Sequence, residues 1–101
     1  MKLPLFSKNL SGDQWLAIAE TVQASADEDG LVLFDTVSGR VFTGNQVAAL
    51  VWLSASKGLT IDATAEEIAT RFGIPFDRAK RDVQTFLEEF KRSGLGTTRV
   101  E

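Results

Sequence analysis

The spacing of apolar and polar positions changes character once along this chain, near Asn45. Upstream, apolar residues come in short runs and alternations. Leu31-Val32-Leu33-Phe34 is a run of strand formers between the turn-rich segments Asp27-Glu28-Asp29-Gly30 and Asp35-Thr36-Val37-Ser38-Gly39, which predicts a hairpin on either side. The preceding strand falls near 21–26, where Val22 and Ala24 alternate with polar neighbours, and the following strand at Arg40-Val41-Phe42-Thr43. Between them and the N-terminus, 13–20 reads either as a short helix capped by Asp13 or as an extension of the first strand, because Trp15, Leu16, Ile18 and Ala19 fit both periods.

Downstream the period is helical. Asn45 is placed to cap a helix of about ten residues that carries Val47, Ala48, Leu50, Val51 and Trp52 and ends before Lys57-Gly58. Thr64-Ala65-Glu66-Glu67 fits a capping box, with Thr64 accepting a backbone N–H and Glu67 reaching back, which predicts a short helix through Ile68, Ala69 and Phe72 that Gly73 stops. After Pro75, the residues Ala79, Val83, Phe86, Leu87 and Phe90 lie on one face of a third helix. Gly94 is its expected C-terminal cap, and Lys91 and Arg92 suit the negative end of its dipole. The expectation is an α+β domain, a three-stranded antiparallel sheet followed by a three-helix bundle, with Trp52, Ile68, Phe72, Val83, Leu87 and Phe90 in one core.

Composition narrows the class. A chain of 101 residues, 44% hydrophobic and 25% charged, reads as one small domain. Its body is expected at 21–95, with an N-terminal segment at 1–20 and a C-terminal tail at 96–101. The absence of cysteine removes disulfides, thiolate metal sites and a cysteine nucleophile, and a cytoplasmic location is the default. Histidine and tyrosine are absent too, and the pI is near 4.9, so the chain is a poor candidate for acid–base catalysis and for nonspecific binding of nucleic acid. The opening Met1-Lys2-Leu3-Pro4-Leu5-Phe6 is too short and too interrupted for a signal-peptide core, and the longest apolar run, Val47 to Leu53, falls far below the ~20 residues of a membrane span.

Few residue groups suggest chemistry. The neighbouring carboxylates Glu66-Glu67 and Glu88-Glu89 point about 100° apart on a helix and cannot converge on one bond. Asp27-Glu28-Asp29 lacks the rest of a calcium loop and reads as a polar hairpin tip. Gly94-Leu95-Gly96 follows a helix, where a dinucleotide fingerprint must follow a strand. On the third helix Arg78, Lys80, Arg81, Lys91 and Arg92 face Asp77, Asp82, Glu88 and Glu89 for a sum of only +1, short of a one-sided basic DNA-reading face. One feature invites a partner: the strand Arg40-Val41-Phe42-Thr43 lies at a sheet edge with backbone groups to offer an extended peptide.

The ordered set Asp29-Gly30-Leu31-Val32-Leu33-Phe34-Asp35, Ser38-Gly39-Arg40-Val41-Phe42, Asn45, Ala48-Ala49, Trp52, the segment from Thr64 to Ile68, and Asp82-Val83 through Phe86-Leu87 resembles the PqqD-like family. Its members are called RiPP recognition elements where they serve ribosomal peptide biosynthesis. The family usually carries leucine just before the asparagine that matches Asn45; this chain has Gly44. The resemblance implies a winged-helix-like fold and a non-catalytic role without cofactors: the leader region of a precursor peptide adds as a strand to the third strand and lies in a groove completed by the third helix. Carried onto this chain, the groove residues are Arg40, Val41, Phe42 and Thr43 on the strand and Arg78, Arg81, Asp82, Thr85 and Phe86 on the helix, with Lys80 and Gln84 on the alternative flank. The implied partners are the precursor peptide and a separate maturation enzyme, such as a radical-SAM enzyme or a leader peptidase, with neither nucleic acid nor membrane. The competing reading from another class is a winged-helix DNA-binding regulator.

Overall fold

The computed structural model describes residues 14–98. Residues 1–13, with the apolar opening and the possible cap Asp13, lie outside the described residues, as do 99–101 of the tail. Three antiparallel strands, β2 (Val22–Asp27), β3 (Gly30–Asp35) and β4 (Val41–Gly44), form a sheet in the order β2-β3-β4, followed by the helices α1 (Gln46–Ser56), α2 (Ile61–Phe72) and α3 (Phe76–Ser93). This is the α+β, winged-helix-like arrangement expected. The period-2 alternation sorts the sheet into two faces: the cross-strand row Ala24, Leu33 and Phe42 turns toward the helices, and the row Gln23, Phe34 and Val41 turns to solvent. Glu28 and Asp29 form the two-residue turn between β2 and β3, where the Asp29 N–H donates to Asp27 Oδ1 at 2.8 Å. The acidic cluster is therefore turn chemistry.

The first two helices begin where a side chain accepts an orphan N–H, whereas α3 starts at Pro75 with no side-chain cap. Asn45 Oδ1 accepts from Ala48 N at 3.0 Å, as expected for α1. For α2 the expectation is corrected: the cap is Thr60, whose Oγ1 accepts from Ala63 N at 3.0 Å. Thr64 is a buried residue one turn inside the helix, and its hydroxyl donates back to Thr60 O at 2.8 Å. Glu67, released from a capping role, faces Arg71 four residues on at 4.0 Å. Gly73 and Gly94 close α2 and α3 with left-handed backbone, at φ of 63° and 75°.

The core gathers the inner sheet face and the facing helix stripes. Trp52, Ile68, Val83, Leu87 and Phe90 are fully buried. Phe90 is central: its ring stands edge-on to Trp52 at 6.2 Å and to Phe42 at 6.1 Å. Phe72 departs from the expected core. It is 38% exposed, because it is the last residue of α2 and lies beside Leu50 and Leu53 in a shallow cleft on the outer side of α1.

The segment before the sheet resolves to a strand of its own. Leu16–Ile18 (β1) pairs antiparallel with Gly96–Thr98 (β5), with Ala17 opposite Thr97. All three residues of β1 are buried, which is why no alternation marks it in sequence. Residues 16–18 and 96–98 thus form a two-stranded ribbon whose Leu16 and Ile18 join the common core.

Candidate functional site

In the three-stranded sheet β4 is an edge strand. The direction of its backbone groups follows from one bond. Asp35 N donates to Arg40 O at 2.9 Å, so Arg40 turns its carbonyl toward β3. Backbone groups of successive strand residues point to opposite sides, so those of Phe42 and Gly44, opposite Leu33 and Leu31, also face β3. The N–H and C=O of Val41 and Thr43 therefore face the open edge. Among the described residues no strand pairs with these two positions, which stand in register as the template that an extended segment requires.

Beside this edge runs α3. The two elements are held together by aromatic contact, Phe42 against Phe86 at 5.8 Å with nearly perpendicular rings, and by Arg40, whose guanidinium donates to Ser93 O at 3.2 Å. Between them lies a groove of about 240 Å³. Its strand side is Phe42, Thr43 and Gly44, its end wall is Asn45, Val47 and Ala48 at the start of α1, and its far side is Asp82, Thr85, Phe86 and Glu89 of α3. On α3 those four residues fall at i, i+3, i+4 and i+7, one continuous face.

Of the residues named from sequence, Phe42, Thr43, Asp82, Thr85 and Phe86 are brought together in this groove. Arg40 stands at its end, just before the strand: its N–H donates to Ser38 Oγ at 3.2 Å, within the turn, so the ladder runs over Val41–Gly44, one residue later than expected. Val41 points its side chain to solvent and its backbone to the edge. Arg78 and Arg81 are exposed on α3 and do not line the groove. The alternative flank faces elsewhere, since Lys80 Nζ pairs with Asp62 of α2 at 2.9 Å. Sequence reasoning missed Gly44, Asn45, Val47, Ala48 and Glu89; the i+7 spacing of Glu89 from Asp82 is the signal that carries it.

Gly44 has a steric reason. A Cβ built on it would stand 2.4 Å from the Ala48 Cβ, well inside contact distance. In this chain the strand end approaches the first turn of α1 so closely that only glycine fits, which explains its departure from the leucine expected there. The turn feeding β4 is held by Asp35, whose Oδ1 accepts from Val37 N at 3.0 Å and whose Oδ2 accepts from the Ser38 hydroxyl at 2.9 Å. The Val37 N–H, with help from Thr21 and Ser38, holds this carboxyl below its ordinary pKa.

The family model described as coenzyme PQQ synthesis protein D (PqqD) matches residues 30–95, well over half of the chain. The chain belongs to the PqqD family. The matched span takes in β3, β4 and all three helices, hence the whole of the groove. Two solved structures share the fold of this PqqD-family chain. TbiB1, in complex with the TbiA(beta) leader peptide, superposes with a TM-score of 0.70 at 19% identity, over 83% of this chain and 98% of that one. Lasso peptide synthetase B1, complexed with the leader peptide, gives 0.71 at 21% identity, over 79% of this chain and 94% of that one. No curated protein matches the sequence significantly.

Proposed function

We propose that this PqqD-family protein binds the leader region of a ribosomally made precursor peptide, without catalysis, and delivers it to a separate maturation enzyme such as a radical-SAM enzyme or a leader peptidase. The observation that carries the reading is the edge of β4: the backbone groups of Val41 and Thr43 open onto a groove that α3 walls on its other side. Both structures that share the fold hold leader peptides. An added strand gains registry from main-chain hydrogen bonds and selectivity from the side chains it turns into the groove. No charged group converges on a reacting position there: Asp82 and Glu89 lie on one helix about 10 Å apart along its axis, a distance set by the helical rise. The same two carboxylates oppose a phosphate backbone, so the duplex-binding reading gains nothing from this face. Among the described residues no helix is long and apolar enough to cross a membrane, and the proposed site of action is the cytoplasm, where precursor peptides are made.

The test is an anisotropy titration with the labelled precursor peptide encoded nearest to this gene, comparing the parent with Thr43→Pro and Thr43→Val. Proline removes the edge-facing N–H, whereas valine keeps it. Loss of one such hydrogen bond costs about 0.5–1.5 kcal/mol, up to roughly tenfold in affinity, and the proline ring adds a clash with the incoming strand. Equal binding by parent and Thr43→Pro, with the fold intact, would move the site away from this edge.

A further inference from the structure

The charges that line the groove are one-sided although those of α3 as a whole are balanced. Of the ten residues that line it, the only ionisable ones are Asp82 and Glu89, both acidic. Neither has an ion-pair partner among the described residues, where the two salt bridges are Arg71 with Glu67 and Lys80 with Asp62. The basic residues of the neighbourhood lie outside the lining: Arg40 keeps its charge but its guanidinium is directed to the Ser93 carbonyl at one end of the groove, Lys80 is paired with Asp62 of α2, and Arg78 and Arg81 are exposed elsewhere on α3. Asp82 is half-buried and Glu89 exposed, and between them along α3 stands Phe86, whose buried ring backs onto Phe42. The sequence of surfaces met by a strand laid in the groove is therefore acidic, apolar, acidic.

A strand turns every second side chain to the same face, at about 6.6 Å spacing, and so presents three such side chains over about 13 Å. The two carboxylates lie about 10 Å apart along α3, within reach of flexible lysine or arginine side chains at the outer two positions. We propose that the groove selects a leader segment of the pattern basic, any, apolar, any, basic, with the apolar side chain resting over the Phe42–Phe86 contact and the two cations at Asp82 and Glu89. This rests on the strand-addition reading above and gives it a ligand chemistry. The pattern is its own mirror image, so it holds whether the leader runs parallel or antiparallel to β4.

The probes are three twelve-residue peptides that share one threonine- and serine-rich frame and carry, at its centre, Lys-Thr-Leu-Thr-Lys, Gln-Thr-Leu-Thr-Gln or Glu-Thr-Leu-Thr-Glu. Each is titrated into isotope-labelled full-length protein at low salt, and the backbone amide shifts are followed by NMR. The lysine peptide is expected to bind about threefold to tenfold more tightly than the glutamine peptide for each carboxylate engaged. The glutamate peptide is expected to be weakest, and the shifts to centre on β4 and the Asp82–Glu89 face. In the Asp82→Asn, Glu89→Gln double variant, which leaves the apolar walls intact, the three affinities should converge, as they should for the parent in high salt. If all three peptides shift the β4 amides with equal affinity, strand addition stands and the charge pattern is wrong. A preference for glutamate, or a lysine preference that survives the double variant, also overturns it. If no peptide perturbs β4, both readings fall together.

Discussion

Replacing Gly44 by alanine tests the geometry of the strand-to-helix junction with a single methyl group. Gly44 is not at positive φ, so elsewhere in an extended segment this change would stabilise the fold by about 0.4–1 kcal/mol through the unfolded chain. Here the new Cβ would stand 2.4 Å from the Ala48 Cβ, whereas apolar carbons rest about 3.5–4.0 Å apart, so strand or helix must yield by more than about 1 Å. Overpacking of this kind costs about 1–3 kcal/mol. The displacement also strains the Asn45 cap on Ala48 N, a contact of 3.0 Å worth roughly 0.5–2 kcal/mol. The steric side wins, and Gly44→Ala is expected to lose about 1–3 kcal/mol overall, or some 4–8 °C in Tm per kcal/mol for a domain of this size. Urea unfolding followed by tryptophan fluorescence reads this as a lower midpoint at unchanged slope. The companion Ala48→Gly costs about 1 kcal/mol in helix propensity by itself but removes the colliding methyl, so the double variant should be more stable than the sum of the two losses. A Gly44→Ala protein as stable as the parent, or a loss that Ala48→Gly leaves untouched, would refute the proposed contact.

Phe90→Ala should be the most damaging of the core changes, costing about 3–5 kcal/mol because the ring is fully buried among Trp52, Phe42 and Phe86. Phe72→Ala, at a half-exposed helix end, should cost well under half as much in the same urea experiment. Asp35→Asn should make thermal stability less sensitive to acid. Its carboxyl is held below the ordinary pKa chiefly by the Val37 N–H, so its contribution is full above the unfolded-state value and fades as pH falls through the folded-state value; melting curves of parent and variant should converge toward pH 2. Lys80→Met should cost less than about 1 kcal/mol, since its partner Asp62 is mostly exposed and the pair is screened by solvent, and should leave peptide titrations unchanged because that flank faces α2.

What the sequence determined by itself is what local chemistry determines. The run of strand formers at Leu31–Phe34, the caps at Asn45 and Gly94, and the one-sided stripe of α3 each act within a few residues of themselves, and each is found where the pattern puts it. Position along a local pattern was less secure. Thr60 and Thr64 stand one turn apart, both able to cap, and the choice fell to Thr60 because α2 packs its next turn, with Thr64, into the core. Tertiary structure alone decided the rest. β1 and β5 pair across nearly the whole chain, through segments of three residues too short to show a period. The groove is likewise a product of docking. Phe42 and Phe86 read as ordinary core positions until β4 and α3 meet and leave the Val41 and Thr43 backbone open beside them. Gly44 reads as a departure from the family pattern until Ala48 is seen against it. Such close approaches depend on side chains brought together by the fold, and no spacing along the chain encodes that distance.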